Sequence, residues 1–376
     1  GDVIVVGAGL IGLAIAFELA ERGIGVRLYD RGEAGHAASW AGAGMLAPYT
    51  ERITNEALLA LCAASLQEYP AFVQRVRDAS GVDSQLRLSG VLYAAFESGG
   101  LEVLQEHARV LQARGIDCTM LDRGSALAAE PWLGGALLGG LLKKAEGYVD
   151  NRRLGRALAA ACKERGVHWE QSAAIAVQCD TRRVLGVRTD RGFAGARAVV
   201  NACGAWAAQL GGVPHSCVPP IEPVKGQMVA LSVPVGFVQR PTWVPGAYLV
   251  PRDDGRLLIG ATVESVGFDE RVTAQGVHEL LHAALAAAPA LAGFSITESW
   301  AGIRPGTPDG LPLLGPTPIE GYFLASGHYR NGILLAPASA RLIADAIEQE
   351  SVEPLAPFLI ARFGTEEVPA ERITHA

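Results

Sequence analysis

The chain has 376 residues, 49% of them hydrophobic and 19% charged. That excludes a predominantly disordered chain and supplies core for two to three domains at roughly 150 residues each. The 32 basic and 39 acidic residues sum to −7, which argues against nonspecific binding to nucleic acid or anionic membranes, since both need a positive field.

The apolar start is the first element to place. A signal peptide or a membrane span could look like it, but Asp2 stands where a basic segment would be. Gly7, Gly9 and Gly12 punctuate it, and Glu18, Glu21 and Arg22 close it too early for a span of about 20 residues. No other segment is long enough to span, so a cytoplasmic protein without membrane partners is expected. The first strand begins almost at residue 1, so a few further residues ahead of it are expected in the natural chain. Cys62, Cys118, Cys162, Cys179, Cys203 and Cys217 stand singly with no C-x-x-C pair. This predicts free thiols in a reducing compartment, not a zinc ribbon or a disulfide framework.

Residues 2–6 (DVIVV) suit a buried parallel strand. Gly7-Ala8-Gly9-Leu10-Ile11-Gly12 follows, then a helical stretch over 13–22 and a second strand over 25–29 that ends in Asp30. Strand, G-x-G-x-x-G, helix, strand and acid in this order form a dinucleotide fingerprint. Gly7 permits the tight turn, Gly9 lets a pyrophosphate approach the backbone, and Gly12 lets the helix pack close to the strand. The helix N-terminus turns unpaired N–H groups toward the phosphates. Asp30 is placed to accept ribose hydroxyls and disfavours NADP, but it does not separate NAD from FAD. Residues 35–48 (GHAASWAGAGMLAP) carry few large side chains. Taken alone, they are either a backbone surface for a large flat ring or a long surface loop.

Further along, a strand is predicted over 90–96 and helices over 102–114 and 150–165, each closed by glycine. Strands follow over 167–170, 173–179, 184–189 and 196–202, the last running into a turn at Gly204 and Trp206. Residues 219–264 hold strands at 228–232, 247–251 and 256–259, with Asp253-Asp254-Gly255 as a hairpin turn. A helix over 277–287, a strand over 321–325 and a helix over 337–348 complete the chain. His278-Glu279-Leu280-Leu281-His282 matches the H-E-x-x-H zinc motif, with Glu298 as a conceivable third ligand. The extension of the motif fails at Leu285, and a solvated helix face with no metal is expected.

The run over residues 30–48 resembles the loop after the second strand in the D-amino-acid oxidase family of flavoenzymes. Residues 300–310 (WAGIRPGTPDG) resemble that family's W-A-G-L-R-P-x-T-x-D-G motif, and residues 327–337 (GHYRNGILLAP) resemble its subgroup of glycine oxidases of thiamine biosynthesis. The resemblance covers nearly the whole chain. It implies an α/β (α+β) fold: a Rossmann-like FAD-binding domain from 1–80, 145–218 and 298–376, with an inserted antiparallel-sheet substrate domain from 81–144 and 219–297. It implies noncovalent FAD held by Gly7, Gly9, Leu10, Ile11, Gly12, Asp30, Arg31, Ala38, Ser39, Ala43, Gly44, Met45 and Ala174. The late turn His328, Tyr329, Arg330, Asn331, Gly332, Ile333 and Leu334 completes that set, with the amides of 331–333 facing the flavin C2 carbonyl. His36 is a conceivable covalent attachment point.

The resemblance further implies oxidative deamination of glycine, and of small amines such as sarcosine, by hydride transfer to flavin N5, with O2 as acceptor and the imine or glyoxylate as product. Arg304 would clamp the substrate carboxylate with Tyr248 donating to it, and Arg330 would be a second arginine near the flavin. A D-amino-acid or sarcosine oxidase or dehydrogenase, a noncatalytic flavoprotein and the zinc protease are the competing readings. A small-molecule amino-acid substrate and a homo-oligomer, with a tetramer as one form, are the expected partners.

Overall fold

The computed structural model describes residues 2–349 and 352–364. Val3–Val6 (β1) is buried along its whole length and sits inside a six-stranded sheet. It pairs in parallel with Ala198–Asn201 on one side and Val26–Asp30 (β2) on the other. Tyr322–Ser326 and His168–Gln171 extend the parallel set, and Leu313–Pro316 closes one edge antiparallel. Leu10–Glu21 (α1) carries no polar side chain from Leu10 to Phe17 because it lies between this sheet and the helices Asn151–Glu164 and Ala336–Gln349. Leu13, Ile15 and Phe17 are fully buried there, each contributing roughly 1.5–3 kcal/mol.

The sequence reading places no element between 49 and 89, yet Glu56–Ser80 is a single 25-residue helix. Asn55 caps it by accepting the Leu58 N–H, and Gly81 ends it in the left-handed region at φ 70°. Pro70 interrupts the sequence signal. The helix continues through it because Tyr69, Phe72 and Val76 bury its inner face in the main core.

The second sheet has eight strands: Ser295–Gly306, Glu222–Ser232, Arg256–Gly260, Ala247–Pro251, Thr242–Val244, Val91–Ala95, Gly139–Lys143 and Cys118–Asp122, in that spatial order. All neighbours are antiparallel except the parallel pair Thr242–Val244 and Val91–Ala95. The expected boundary between 297 and 298 falls inside Ser295–Gly306, where the register with Glu222–Ser232 shifts at Thr297.

Strand alternation divides this sheet's residues between two faces. Val229, Leu231, Leu249, Leu257 and Ile259 pack toward the helix Ala274–Ala287, while Met228, Ala230, Tyr248, Val250 and Leu258 pack with Ala41 and Ala43. That second face carries the side chains of the site. Gly260 makes room for two of them: a Cβ there would lie 2.2 Å from Met228 Sδ and 2.7 Å from Tyr248 Cε2.

Candidate active site

A cavity of about 570 Å³ runs between the two sheets. At one end it is lined by Gly7, Gly9, Leu10, Ile11, Asp30, Arg31 and Ala174, along its middle by Ala38, Ser39, Ala43, Gly44 and Met45, and at the other end by Tyr248, Arg304 and His328 to Ile333. Of the residues expected from the sequence, Gly12 and Leu334 do not line it. Gly12 serves packing, since a Cβ on it would fall 1.8 Å from the Gly7 carbonyl oxygen. Leu334 is buried in the core, and its carbonyl accepts from the Ser65 hydroxyl.

The first end is a glycine turn opening onto a helix N-terminus. Gly7 has φ 105°, and a side chain there would also strike the Ala202 carbonyl at 2.4 Å. The first turn of α1 holds no acidic side chain, so its positive end is not neutralised from within. Asp30 Oδ2 accepts the Ala8 N–H at 2.6 Å and its Oδ1 accepts the Gly32 N–H at 2.8 Å. These bonds hold the carboxylate at the cavity edge. Arg31 lies over the Trp206 ring at 5.4 Å, and Trp206 also lines the cavity.

The small-residue segment is held in place from outside through its backbone. Asn151 Nδ2 donates to the Ser39 and Trp40 carbonyls at 2.7 and 3.1 Å. Trp300 Nε1 donates to the Ala41 carbonyl at 3.0 Å, and Arg252 Nη2 to the Ala43 carbonyl at 2.8 Å. Close approach explains the small residues: a Cβ on Gly44 would lie 1.9 Å from the Val149 carbonyl, and one on Gly302 would lie 2.3 Å from Ala41 Cβ. His36 stacks on Trp40 and pairs with Glu33 at 3.0 Å.

At the far end Arg304 Nη1 donates to the Lys225 and Thr262 carbonyls at 3.2 and 3.1 Å. Among the described residues no carboxylate pairs with Arg304; Asp309, its nearest acidic neighbour in sequence, pairs with Arg362 at 2.7 Å. Burial pulls the Arg304 guanidinium below its ordinary range. It is therefore a poorly solvated cation open to an anion. Tyr248 is raised by burial, which Arg304 beside it opposes in part, and stays a neutral donor; its hydroxyl lies 3.5 Å from the Met228 sulfur.

Arg330 is engaged differently. Its Nε lies 3.0 Å from Glu51 Oε2. Burial, the largest influence, pulls it down, but Glu51 together with Tyr248 and Tyr329 outweighs this, and the net shift is upward.

The late turn puts Tyr329 at φ 48° and leads into Ala336–Gln349. The Asn331 N–H donates to the His328 carbonyl at 2.9 Å. Among the described residues the Gly332 and Ile333 amides donate to no backbone carbonyl. His328 is buried, with Nε2 3.0 Å from Ser339 Oγ.

His278, Glu279 and His282 lie on an exposed helix face. Glu298 instead pairs with Arg152 through both oxygens at 2.9 Å. No cluster of three metal-ligating side chains occurs among the described residues.

Sequence reasoning missed Glu51, Asn151 and Arg252 as site residues. Each acts on a partner about 100 or more positions away, and no local pattern announces such a contact.

The fold and this cavity define an FAD-dependent oxidoreductase: a glycine cradle at the positive end of a helix, joined to a desolvated arginine by a channel walled with backbone. The family model described as FAD dependent oxidoreductase (DAO) matches residues 2–346, and the chain belongs to that family. It is 38% identical to the glycine oxidase of Pseudomonas aeruginosa, covering 95% of this chain and 97% of that protein. It is 40% identical to the bifunctional protein ThiO/ThiG of Synechocystis sp., covering 94% of this chain but only 52% of that protein. The crystal structure of glycine oxidase from Geobacillus kaustophilus superposes with a TM-score of 0.90 at 38% identity, covering 96% and 98% of the two chains. No helix among the described residues is long and apolar enough to cross a membrane.

Proposed function

We propose that this protein oxidises glycine, and small amines such as sarcosine, to the imine and then glyoxylate with O2 as acceptor, and that the imine serves thiamine thiazole synthesis. The observation that carries the reading is Arg304: a half-buried, poorly solvated guanidinium without a carboxylate partner among the described residues, opening into the cavity that the dinucleotide cradle also lines. It would bind the substrate carboxylate, and the protonated Tyr248 hydroxyl would donate to the same group. The two contacts fix the substrate's Cα and leave its amine toward the middle of the cavity. Gly226 permits this, since a Cβ there would lie 2.3 Å from Arg304 Nη2. Bound FAD supplies the electron acceptor for C–H oxidation.

The Gly7–Ile11 turn, Asp30, Arg31, Ala38, Ser39, Ala43 to Met45 and the 328–333 turn would hold the cofactor noncovalently. Acid precipitation releasing all flavin to the supernatant tests that. The free state of all six cysteines supports a cytoplasmic setting, and light scattering would read the oligomer.

The test of function is the visible spectrum of the purified protein, anaerobically, before and after glycine, sarcosine and D-alanine. Flavin bands bleached fastest by glycine are expected. Bleaching by D-alanine alone would move the substrate, and no bleaching by any amine would overturn the reading.

A further inference from the structure

Two guanidiniums, Arg304 and Arg330, face the far end of the cavity, and only one of them is neutralised. Arg330 is paired with Glu51 at 3.0 Å, whereas Arg304 has no carboxylate partner among the described residues. Glu51 is no loose surface acid, since its side chain is 15% exposed. The two residues before it are anchored: Glu146 accepts the N–H groups of Tyr49 and Thr50 at 2.6 and 2.9 Å, and also the Thr50 hydroxyl. Glu146 is itself fully buried, so that anchor is fixed. After Glu51 the chain turns at Arg52 through φ 52°. The backbone on both sides thus holds the Glu51 carboxylate against Arg330.

We infer that Glu51 determines the charge specificity of this cavity. By neutralising Arg330 it leaves one net positive charge at that end, at Arg304, and so admits ligands with a single carboxylate. It selects against those that carry a second anionic group on the amine side. The favoured class is amino acids whose nitrogen bears hydrogen or a small neutral alkyl group, and the disfavoured class is N-carboxyalkyl amino acids. A second carboxylate reaching Arg330 would have to displace Glu51 or sit beside it, and both arrangements bring like charges together in a poorly solvated space. The inference rests on the reading of Arg304 as the carboxylate anchor.

The experiment uses the FAD-loaded protein and two ligands that cannot be oxidised as amines: methoxyacetate, with one carboxylate, and oxydiacetate, with two. Binding is read from the perturbation of the flavin visible band, so it does not depend on turnover. The unsubstituted protein is expected to bind methoxyacetate more tightly. Glu51→Gln should shift the ratio of the two dissociation constants toward oxydiacetate by about tenfold or more, while Glu51→Asp, which keeps the charge, should leave it near the original value. Arg330→Gln should move the ratio the opposite way, because Glu51 is then unopposed. That variant decides the matter if Glu51→Gln fails to retain FAD. A ratio unchanged in either variant, a shift in the wrong direction, or no binding of methoxyacetate at all would overturn the inference. A protein that shows the ratio change but is reduced by neither glycine nor sarcosine would refute the substrate reading alone.

Discussion

Arg252 Nη2 reaches out of the antiparallel sheet to the Ala43 carbonyl at 2.8 Å, and so ties that sheet to the small-residue segment lining the cavity. The same nitrogen donates to Asn151 Oδ1 at 3.0 Å, and Asn151 in turn holds the Ser39 and Trp40 carbonyls. Asp150, 3.8 Å from Arg252 Nε, supplies the opposing charge. Burial lowers the Arg252 guanidinium to about 10, which leaves it charged at neutral pH. Arg252→Met removes the donor to Asn151 Oδ1 and the Ala43 carbonyl, while Asp150 keeps Arg256 at 3.5 Å and the Arg153 N–H at 3.0 Å. Leaving buried acceptors without their charged donor costs about 1–3 kcal/mol. A drop in the midpoint of chemical unfolding and weaker retention of FAD are expected; an unchanged midpoint would show that the network adds nothing to stability.

Arg304 and Tyr248 differ in what their loss should do. Arg304→Ala removes the charge-assisted contacts to a substrate carboxylate, worth roughly 3 kcal/mol. The apparent KM for glycine should rise about a hundredfold while the flavin spectrum persists. Release of FAD would instead assign Arg304 to the cofactor. Tyr248→Phe loses a hydroxyl that has only a weak contact with the Met228 sulfur, at 3.5 Å, and faces the Arg304 guanidinium. Stability should therefore change by less than about 0.5 kcal/mol, and KM should rise severalfold. Unchanged KM would remove Tyr248 from the carboxylate site.

The cradle was legible because its parts are neighbours in sequence: Gly7, Gly9, Gly12 and Asp30 announce a turn, a helix and a carboxylate within one βαβ unit. Arg304, Tyr248 and Arg330 came from resemblance, since an arginine or a tyrosine in a strand has no spacing signature of its own. The pairing of Glu51 with Arg330 lay beyond both routes. It joins residues 279 positions apart, and the packing of the 25-residue helix Glu56–Ser80 beside that segment was itself hidden by Pro70. The strand over 295–306 was also unread, because its length shows only against its partner Glu222–Ser232.

Asp30 holds the Ala8 N–H at the start of the glycine turn as well as offering its carboxylate to the cavity. Asp30→Ala leaves that N–H unpaired, a penalty of about 1–3 kcal/mol, and removes an acceptor for ribose hydroxyls. Titrating apoprotein with FAD by fluorescence quenching should show a dissociation constant raised about 10–100-fold. Affinity within twofold of the original would mean that the carboxylate serves the turn alone.

His328 lies at the cavity and is buried against Ser339 Oγ, and burial lowers it to about 3. An unfolded histidine titrates near 6.5. Between those two values the unfolded chain binds the extra proton, so stability rises with pH there; it is complete above about 6.5 and lost as pH falls toward 3. At pH 5 the loss from this residue is about 2 kcal/mol. His107 is lowered to about 4, by burial first and then by Lys143 and Arg52, and contributes in the same window. Thermal unfolding of the holoprotein between pH 7 and pH 5 should show a falling Tm. In His328→Gln the slope should be shallower but not zero, because His107 still titrates. A slope unchanged by the substitution would mean that His328 takes up its proton in the folded protein, in contact with water that the present packing excludes.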